Sequence, residues 1–300
     1  MSRKIIYIIN PISGTRTQKN LRQLLEEKTK QKGIPFSIFP SVASGDYSFL
    51  HQKIKDEKIT DVIIAGGDGT VSQVVGSLMD LDLNFGIIPC GSGNGLALAA
   101  KISKQPDKTL EMIFAGKASL IDGFIVNGRF ACMLCGLGFD AKVAHDFVEQ
   151  PTRGLTTYMR LALKNFFTVK PYSFKIQLQH NKFETDAYFI SVANSNQFGN
   201  NFTIAPKASL TDGLLDVVII TAQNKVGFIL QTLEQFVGWN ALQAVPLIKQ
   251  KSSAIYFQTD QISIINTSEA PLHIDGEPAE TPKSLNIEIK KKCFRLIQPG

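Results

Sequence analysis

The stretch that most constrains what this chain can become is Asp61-Val62-Ile63-Ile64-Ala65-Gly66-Gly67-Asp68-Gly69-Thr70-Val71-Ser72-Gln73-Val74-Val75. An apolar, β-branched run stops at two glycines and an Asp-Gly follows. Helical periodicity then starts at once with Val71, Val74, Val75 and Leu78, so the segment reads as strand, tight loop, helix. A helix N-terminus therefore stands at the carboxyl end of a buried strand. Its free backbone N–H groups, in a loop whose glycines let another molecule come close, make a site for an anion such as phosphate. Asp68 adds a condition. A carboxylate beside polyphosphate is repelled unless a divalent cation lies between them, which points to a magnesium nucleotide. Taken alone, the same residues also fit an Asp-Gly turn with Thr70 capping the helix.

The plan repeats along the first part of the chain. Lys4 to Ile9 reads as a strand, Asn10-Pro11-Ile12-Ser13-Gly14-Thr15 as a loop, and Gln18 to Lys32 as a helix. Phe36 to Phe39 follows as a strand and Ser44 to Asp56 as a helix. After the central unit, Phe85 to Pro89 leads into Cys90-Gly91-Ser92-Gly93-Asn94-Gly95 and an Ala-rich helix. Alternating strands and helices predict a parallel sheet with helices on both faces. Ligands of such sheets bind outside the carboxyl ends of the strands, where the loops at Asn10, Gly66 and Gly91 would converge. None is a Walker A loop, because no Gly-Lys-Ser/Thr is present, and Gly91 to Leu96 fails the dinucleotide pattern at its last position.

The pattern changes after Asp122. Alternation takes over, most clearly in the hairpin of Ser173 to His180, Asn181-Lys182 and Phe183 to Val192. Further strands are predicted at 129–134, 214–220, 261–265, 271–274, 285–289 and 294–297, together an antiparallel sandwich. Two helices interrupt it, over 155–167 and 226–247, with large apolar side chains at helical spacing. These serve as core, as the wall of an acyl-chain cleft or as a membrane-docking face.

With 44% hydrophobic and 19% charged residues in 300, the chain carries ample core and is not disordered. The net charge of +6 favours an acidic partner, and because it is dispersed a nucleic-acid groove is not required. No secretory signal opens the sequence and no apolar run reaches about 18 residues. The four cysteines, Cys90, Cys132, Cys135 and Cys293, form no disulfide framework. These features predict a cytoplasmic protein.

Asn10-Pro11 with Gly14, Gly66-Gly67-Asp68-Gly69-Thr70 and Gly91-Ser92-Gly93-Asn94 resemble the diacylglycerol kinase catalytic family, which includes bacterial lipid kinases and sphingosine kinases. Later signatures extend the resemblance over nearly the whole chain: Gly136-Leu137-Gly138-Phe139-Asp140-Ala141, Ala205-Pro206-Lys207-Ala208, Asp212-Gly213-Leu214-Leu215-Asp216-Val217 and Ile274-Asp275-Gly276-Glu277. NAD kinases and phosphofructokinases are similar in the Gly-Gly-Asp-Gly loop and in the first domain. The resemblance implies a nucleotide-binding α/β domain over 1–122 and a β-sandwich lipid-substrate domain over 123–300, whose last strand is free to return to the first domain.

It also implies ATP held at Asn10, Ser41, Gly66, Gly67, Asp68, Gly69, Thr70, Gly91, Ser92, Gly93 and Asn94, with Asp68 on a catalytic Mg. Asp122 would line the cleft between the domains, where a lipid hydroxyl enters. Asp275 and Glu277, two carboxylates straddling a turn glycine, are the candidate proton acceptors; without the family they read equally as a hairpin turn with a solvated Glu. A structural Mg would use oxygens at Ser209, Asp212 and Leu214.

The chain departs from many bacterial relatives by having Gly95 in place of an Asp and Ser92 in place of a Thr. That loop looks closer to the sphingosine-kinase version, and it shifts the metal-binding burden to Asp68 and Asp122. The expected activity is an ATP- and Mg-dependent lipid kinase at the inner face of the membrane, in transient peripheral contact with anionic lipid; a homodimer is compatible with the sequence. The competing readings are a soluble small-molecule kinase of the NAD kinase type, and a nucleotide-binding regulator without turnover.

Overall fold

The computed structural model describes residues 3–13, 18–151, 155–179, 181–199, 202–203, 205–222 and 254–299. Gly14, Thr15 and the helix expected over 226–247 lie outside the described residues. The first part builds β1 (Ile5–Ile9), α1 (Gln18–Gln31), β2 (Phe36–Pro40), a 3-10 turn (Ser48–Leu50) running into α2 (His51–Glu57), β3 (Asp61–Gly66), α3 (Asp68–Leu78), β4 (Asn84–Pro89), α4 (Gly95–Ala99) and α5 (Pro106–Ala115). Strands β2, β1, β3 and β4 lie side by side in that order, all parallel. Alternate residues of β1 enter two cores. Ile6 and Ile8 pack with α2, α3 and α4 through Ile54, Val71, Val74 and Leu96, whereas Ile5 and Tyr7 pack with α1 and α5 through Leu25, Leu110 and Ile113. The sheet thus carries helices on both faces.

The second part contains β5 (Ala118–Val126), β6 (Arg129–Ala131), β7 (Leu134–Gly138), α6 (Phe139–Val148), α7 (Leu155–Thr168), β8 (Tyr172–Gln177), β9 (Lys182–Ala193), β10 (Gln197–Gly199), β11 (Phe202–Thr203), β12 (Leu215–Thr221), β13 (Ala254–Thr259), β14 (Gln261–Asn266), β15 (Leu272–Ile274), β16 (Glu277–Ala279) and β17 (Ser284–Ile297). Its strands pair antiparallel into a sandwich. The core alternates as the pleat requires, with Phe174 and Ile176 from β8, Ile262 and Ile264 from β14, and Leu285, Ile287 and Ile289 from β17. Phe139 of α6 and Phe166 of α7 pack against a further apolar cluster at Leu134, Tyr188 and Val218.

The two parts are joined by a long ladder. β5 pairs with β17 from Ala118↔Ile297 to Val126↔Ile287, and the last residues of β17 lie parallel to β4 at Arg295↔Asn84 and Leu296↔Phe85.

Three local departures from expectation have physical causes. The helix expected from Ser44 begins as a 3-10 turn at Ser48, because the Ser44 and Asp46 side chains accept the N–H groups of Asp46 and Ser48 and hold a turn there. The strand expected over 129–134 breaks into β6 and β7, since the N–H groups of Cys132, Met133 and Leu134 turn onto the Asp275 carboxylate. The strands expected at 285–289 and 294–297 are one, bulged between Lys290 and Phe294. Helices α5 and α6 and strands β5, β10, β11, β13 and β16 were not expected.

Candidate active site

The first strand ends in Asn10, which ties two loops together. Its Nδ2 donates to Thr70 Oγ1 at 2.8 Å, and its Oδ1 accepts the N–H of Ile12 at 3.0 Å. Ser41, just beyond β2, donates its N–H to the Ile9 carbonyl at 2.9 Å and so stands at the same sheet edge. Between β3 and α3, Gly67 meets Gly91 backbone to backbone. A Cβ added to Gly91 would lie 2.6 Å from Gly67 Cα, so only glycine permits this approach. Asn94, in the left-handed conformation at φ 57°, folds its side chain back to accept the Gly91 N–H at 2.8 Å and donate to the Gly91 carbonyl at 2.6 Å. Ser92 is exposed and Gly93 half-buried at the tip of that loop. The loops at Asn10, Gly66–Thr70 and Gly91–Asn94 therefore converge, as a phosphate cradle requires.

Asp68 closes the cradle from beneath. Its two carboxylate oxygens accept the N–H groups of Gly95 at 2.9 Å and Leu96 at 3.1 Å, capping α4. Although a sliver of its surface reaches solvent, the enclosing protein pushes its pKa up to about 6, with the nearby Asp275 charge adding to the effect and the two amides opposing it. Gly95 now has a steric reason. A Cβ there would fall 2.1 Å from Met133 Sδ and 2.9 Å from the Gln197 carbonyl, so an Asp at this position would displace its neighbours.

Asp275 and Glu277 part company. Asp275-Gly276 is the two-residue loop of the β15–β16 hairpin, with positive φ at both residues (49° and 79°). The Asp275 side chain is buried; its Oδ1 accepts the N–H groups of Met133 at 2.9 Å and Leu134 at 2.8 Å, and its Oδ2 accepts the Cys132 N–H at 3.0 Å and the Ser72 hydroxyl. A carboxylate with four donors is a cross-link between α3 and the sandwich rather than an available base. Glu277 is exposed, and its side chain has no hydrogen-bond or ion-pair partner among the described residues. It lies against the Gly-Gly-Asp-Gly loop, since a Cβ on Gly69 would be 2.5 Å from Glu277 Cγ and 2.9 Å from its Oε1.

The expectation that Asp122 lines the cleft is corrected. It is 0% exposed, and its carboxylate accepts the N–H groups of Lys292 at 2.6 Å and Gly213 at 2.8 Å, bracing the bulge of β17. Fully buried, it offers no oxygen to a metal at the loops, whereas Asp68 keeps some exposed surface there. Ser209, Asp212 and Leu214 lie together in the loop before β12, where Asp212 Oδ1 accepts the Leu214 N–H at 3.1 Å. Among the described residues, no cluster of three His, Cys, Asp or Glu side chains is arranged to hold a metal. The carboxylates that remain near the loops are Glu277 and Asp68. One or two carboxylates suit magnesium arriving on nucleotide phosphates with its own waters, so these residues fit that ion. Sequence reasoning missed Ser72, Met133 and His273. Ser72 stands one helical turn beyond Asp68 and His273 two residues before Asp275, positions adjacent to motifs already noted.

Residues 4–125 match the diacylglycerol kinase catalytic domain, and residues 134–298 match the YegS C-terminal NAD kinase beta sandwich-like domain. A probable lipid kinase YegS-like protein of Shewanella frigidimarina is 27% identical, over 90% of this chain and 86% of its own length. A diacylglycerol kinase of Bacillus subtilis is 28% identical, over 91% and 89%. The crystal structure of a putative diacylglycerol kinase from Bacillus anthracis superposes with a TM-score of 0.77 at 20% identity, covering 99% of this chain and 97% of that one, and so shares the fold. The two models together take in nearly the whole chain, which therefore belongs to the family of kinases that join a diacylglycerol kinase catalytic domain to a YegS C-terminal NAD kinase beta sandwich-like domain.

Proposed function

We propose that the chain transfers the γ-phosphoryl of Mg-ATP to the hydroxyl of a lipid such as diacylglycerol or a sphingoid base, at the loops around Gly69. The observation that carries this reading is Glu277: a solvent-accessible carboxylate set by a hairpin of the sandwich directly on the Gly-Gly-Asp-Gly loop of the α/β sheet. The N–H groups at the start of α3 and the tip of the Gly91–Asn94 loop hold the phosphates. Glu277 orients the lipid hydroxyl and accepts its proton as the new oxygen–phosphorus bond forms and the bond to the β–γ bridging oxygen breaks. Magnesium would neutralise charge developing on the phosphoryl oxygens, held by the nucleotide's own phosphates and by Asp68. Asp275 keeps the hairpin in place. A structural Mg at Ser209, Asp212 and Leu214 rests on the family resemblance.

The test is transfer of label from γ-labelled ATP into micellar diacylglycerol, monoacylglycerol, sphingosine, ceramide and phosphatidylglycerol, with NAD as a soluble acceptor. Label in one lipid, lost in Glu277→Gln and Asp68→Ala, is the expected result. Label in NAD alone, or equal transfer by Glu277→Gln, would overturn the assignment.

A further inference from the structure

The Asp275-Gly276 turn has a second anchor. The Gly276 N–H donates to His273 Nδ1 at 3.3 Å, which places the ring proton of neutral His273 on Nε2, 3.3 Å from Asp140 Oδ2. Asp140, in the first turn of α6, uses its other oxygen to accept the Ala141 N–H at 2.8 Å. Both side chains are buried, His273 at 0% and Asp140 at 5% exposure. They sit over Gly136, the cross-strand neighbour of His273, where a Cβ would fall 2.0 Å from Asp140 Oδ2 and 2.6 Å from His273 Nε2. Further along α6, the ring of His145 lies within 2.9 Å of the Leu272 carbonyl, so one helix grips β15 twice.

A buried polar pair of this kind is costly unless every group is satisfied, and it has no part in packing an apolar core. A turn with an Asp at positive φ also needs its surroundings to over-determine it. Asp275 fixes one peptide of the turn and His273 the next. We propose that the Asp140–His273 pair is a positioning device: it orients the Asp275-Gly276 turn and thereby sets where Glu277 stands on Gly69. The inference rests on the role of Glu277 proposed above.

The full chain is tested as two variants, His273→Gln and His273→Asn. Asn places an acceptor where Nδ1 was, whereas Gln reaches toward Asp140 and leaves the Gly276 N–H without its partner. The readouts are hydrogen exchange at the Gly276 amide and the split between kcat and the KM for ATP. His273→Gln should exchange that amide at least about tenfold faster and lose about tenfold to a hundredfold in kcat, with KM within about twofold, as a misplaced group does. His273→Asn should return both to within about threefold of wild type.

Wild-type protection of Gly276 in folded His273→Gln overturns the proposal, as does a loss of kcat that Asn does not restore. If the Gln variant does not fold, Asp140→Asn carries the same readouts. It frees the ring to take the other tautomer, and unchanged protection and kcat there overturn the proposal too. Glu277→Gln in parallel separates the two readings. Full activity in that variant removes the role of Glu277, while Gly276 exchange still decides the pair.

Discussion

Asp275 and Glu277 stand two residues apart and are held in opposite ways. Replacing Asp275 by Ala strips an acceptor from three backbone amides and a hydroxyl, so we expect a stability loss of about 3 kcal/mol or more, seen as a lowered melting temperature, with activity falling alongside. Glu277→Gln should melt as wild type while kcat drops about 10²- to 10⁴-fold. Asp68 makes a pH prediction. Its folded-state value near 6 lies above the roughly 3.9 of an unfolded Asp, so the folded protein binds the proton more tightly. The stability this gives is complete below about pH 4 and lost as the pH rises through 6. The melting temperature of wild type relative to Asp68→Asn should fall across that window; a difference that widens upward would contradict it. The sequence located all three carboxylates and named Asp275 and Glu277 together as candidate proton acceptors, without separating the two. A carboxylate's role depends on which donors surround it, and those of Asp275 come from Ser72 and Cys132 to Leu134, far away in the chain. Gly95 was legible only as a departure, because Met133, which fills the space above it, lies in a different element.

Elements were legible where the period was clean. β1, β3, β8 and β14 alternate or run apolar between glycines and polar turns, and the chain places them as expected. β17 was read as two strands because Lys290-Lys291-Lys292 interrupts its alternation, and the pairing that makes it one strand comes from β5. α6 was not expected, since Gly136 to Ala141 entered only as a motif of the family resemblance, yet it supplies Asp140 and His145. Helix α7 presents Arg160, Leu163 and Lys164 outward, with Leu163 62% exposed, while Leu161 and Asn165 are buried. An apolar side chain between two cations suits an anionic lipid surface. Leu163→Glu should reduce pelleting with phosphatidylglycerol vesicles at low salt several-fold while shifting stability by no more than about 0.5 kcal/mol. Undiminished pelleting would move the contact elsewhere.

At the scale of the molecule, the two parts meet where β5 and β17 run past one another, and Asp122 sits at the bulge with its oxygens on Gly213 and Lys292. Asp122→Asn turns an amide N–H₂ toward donors. It should cost about 1–3 kcal/mol, with exchange at the Gly213 and Lys292 amides rising together. Separate responses would show that the junction does not act as one unit. The architecture of two parts was legible because alternating strand–helix units give way to alternating strands at one place. The join was not, since nothing local to Phe294 or Leu296 marks them as core partners of Phe85 and Ile121. That join carries a consequence for synthesis. The edge of β4 and the core beneath it await residues emerging more than two hundred positions later, so a ribosome-bound first half holds an open parallel edge and an incomplete core. Chains stalled or cut before Phe294 should therefore aggregate or recruit chaperones although every loop of the nucleotide cradle has already been made.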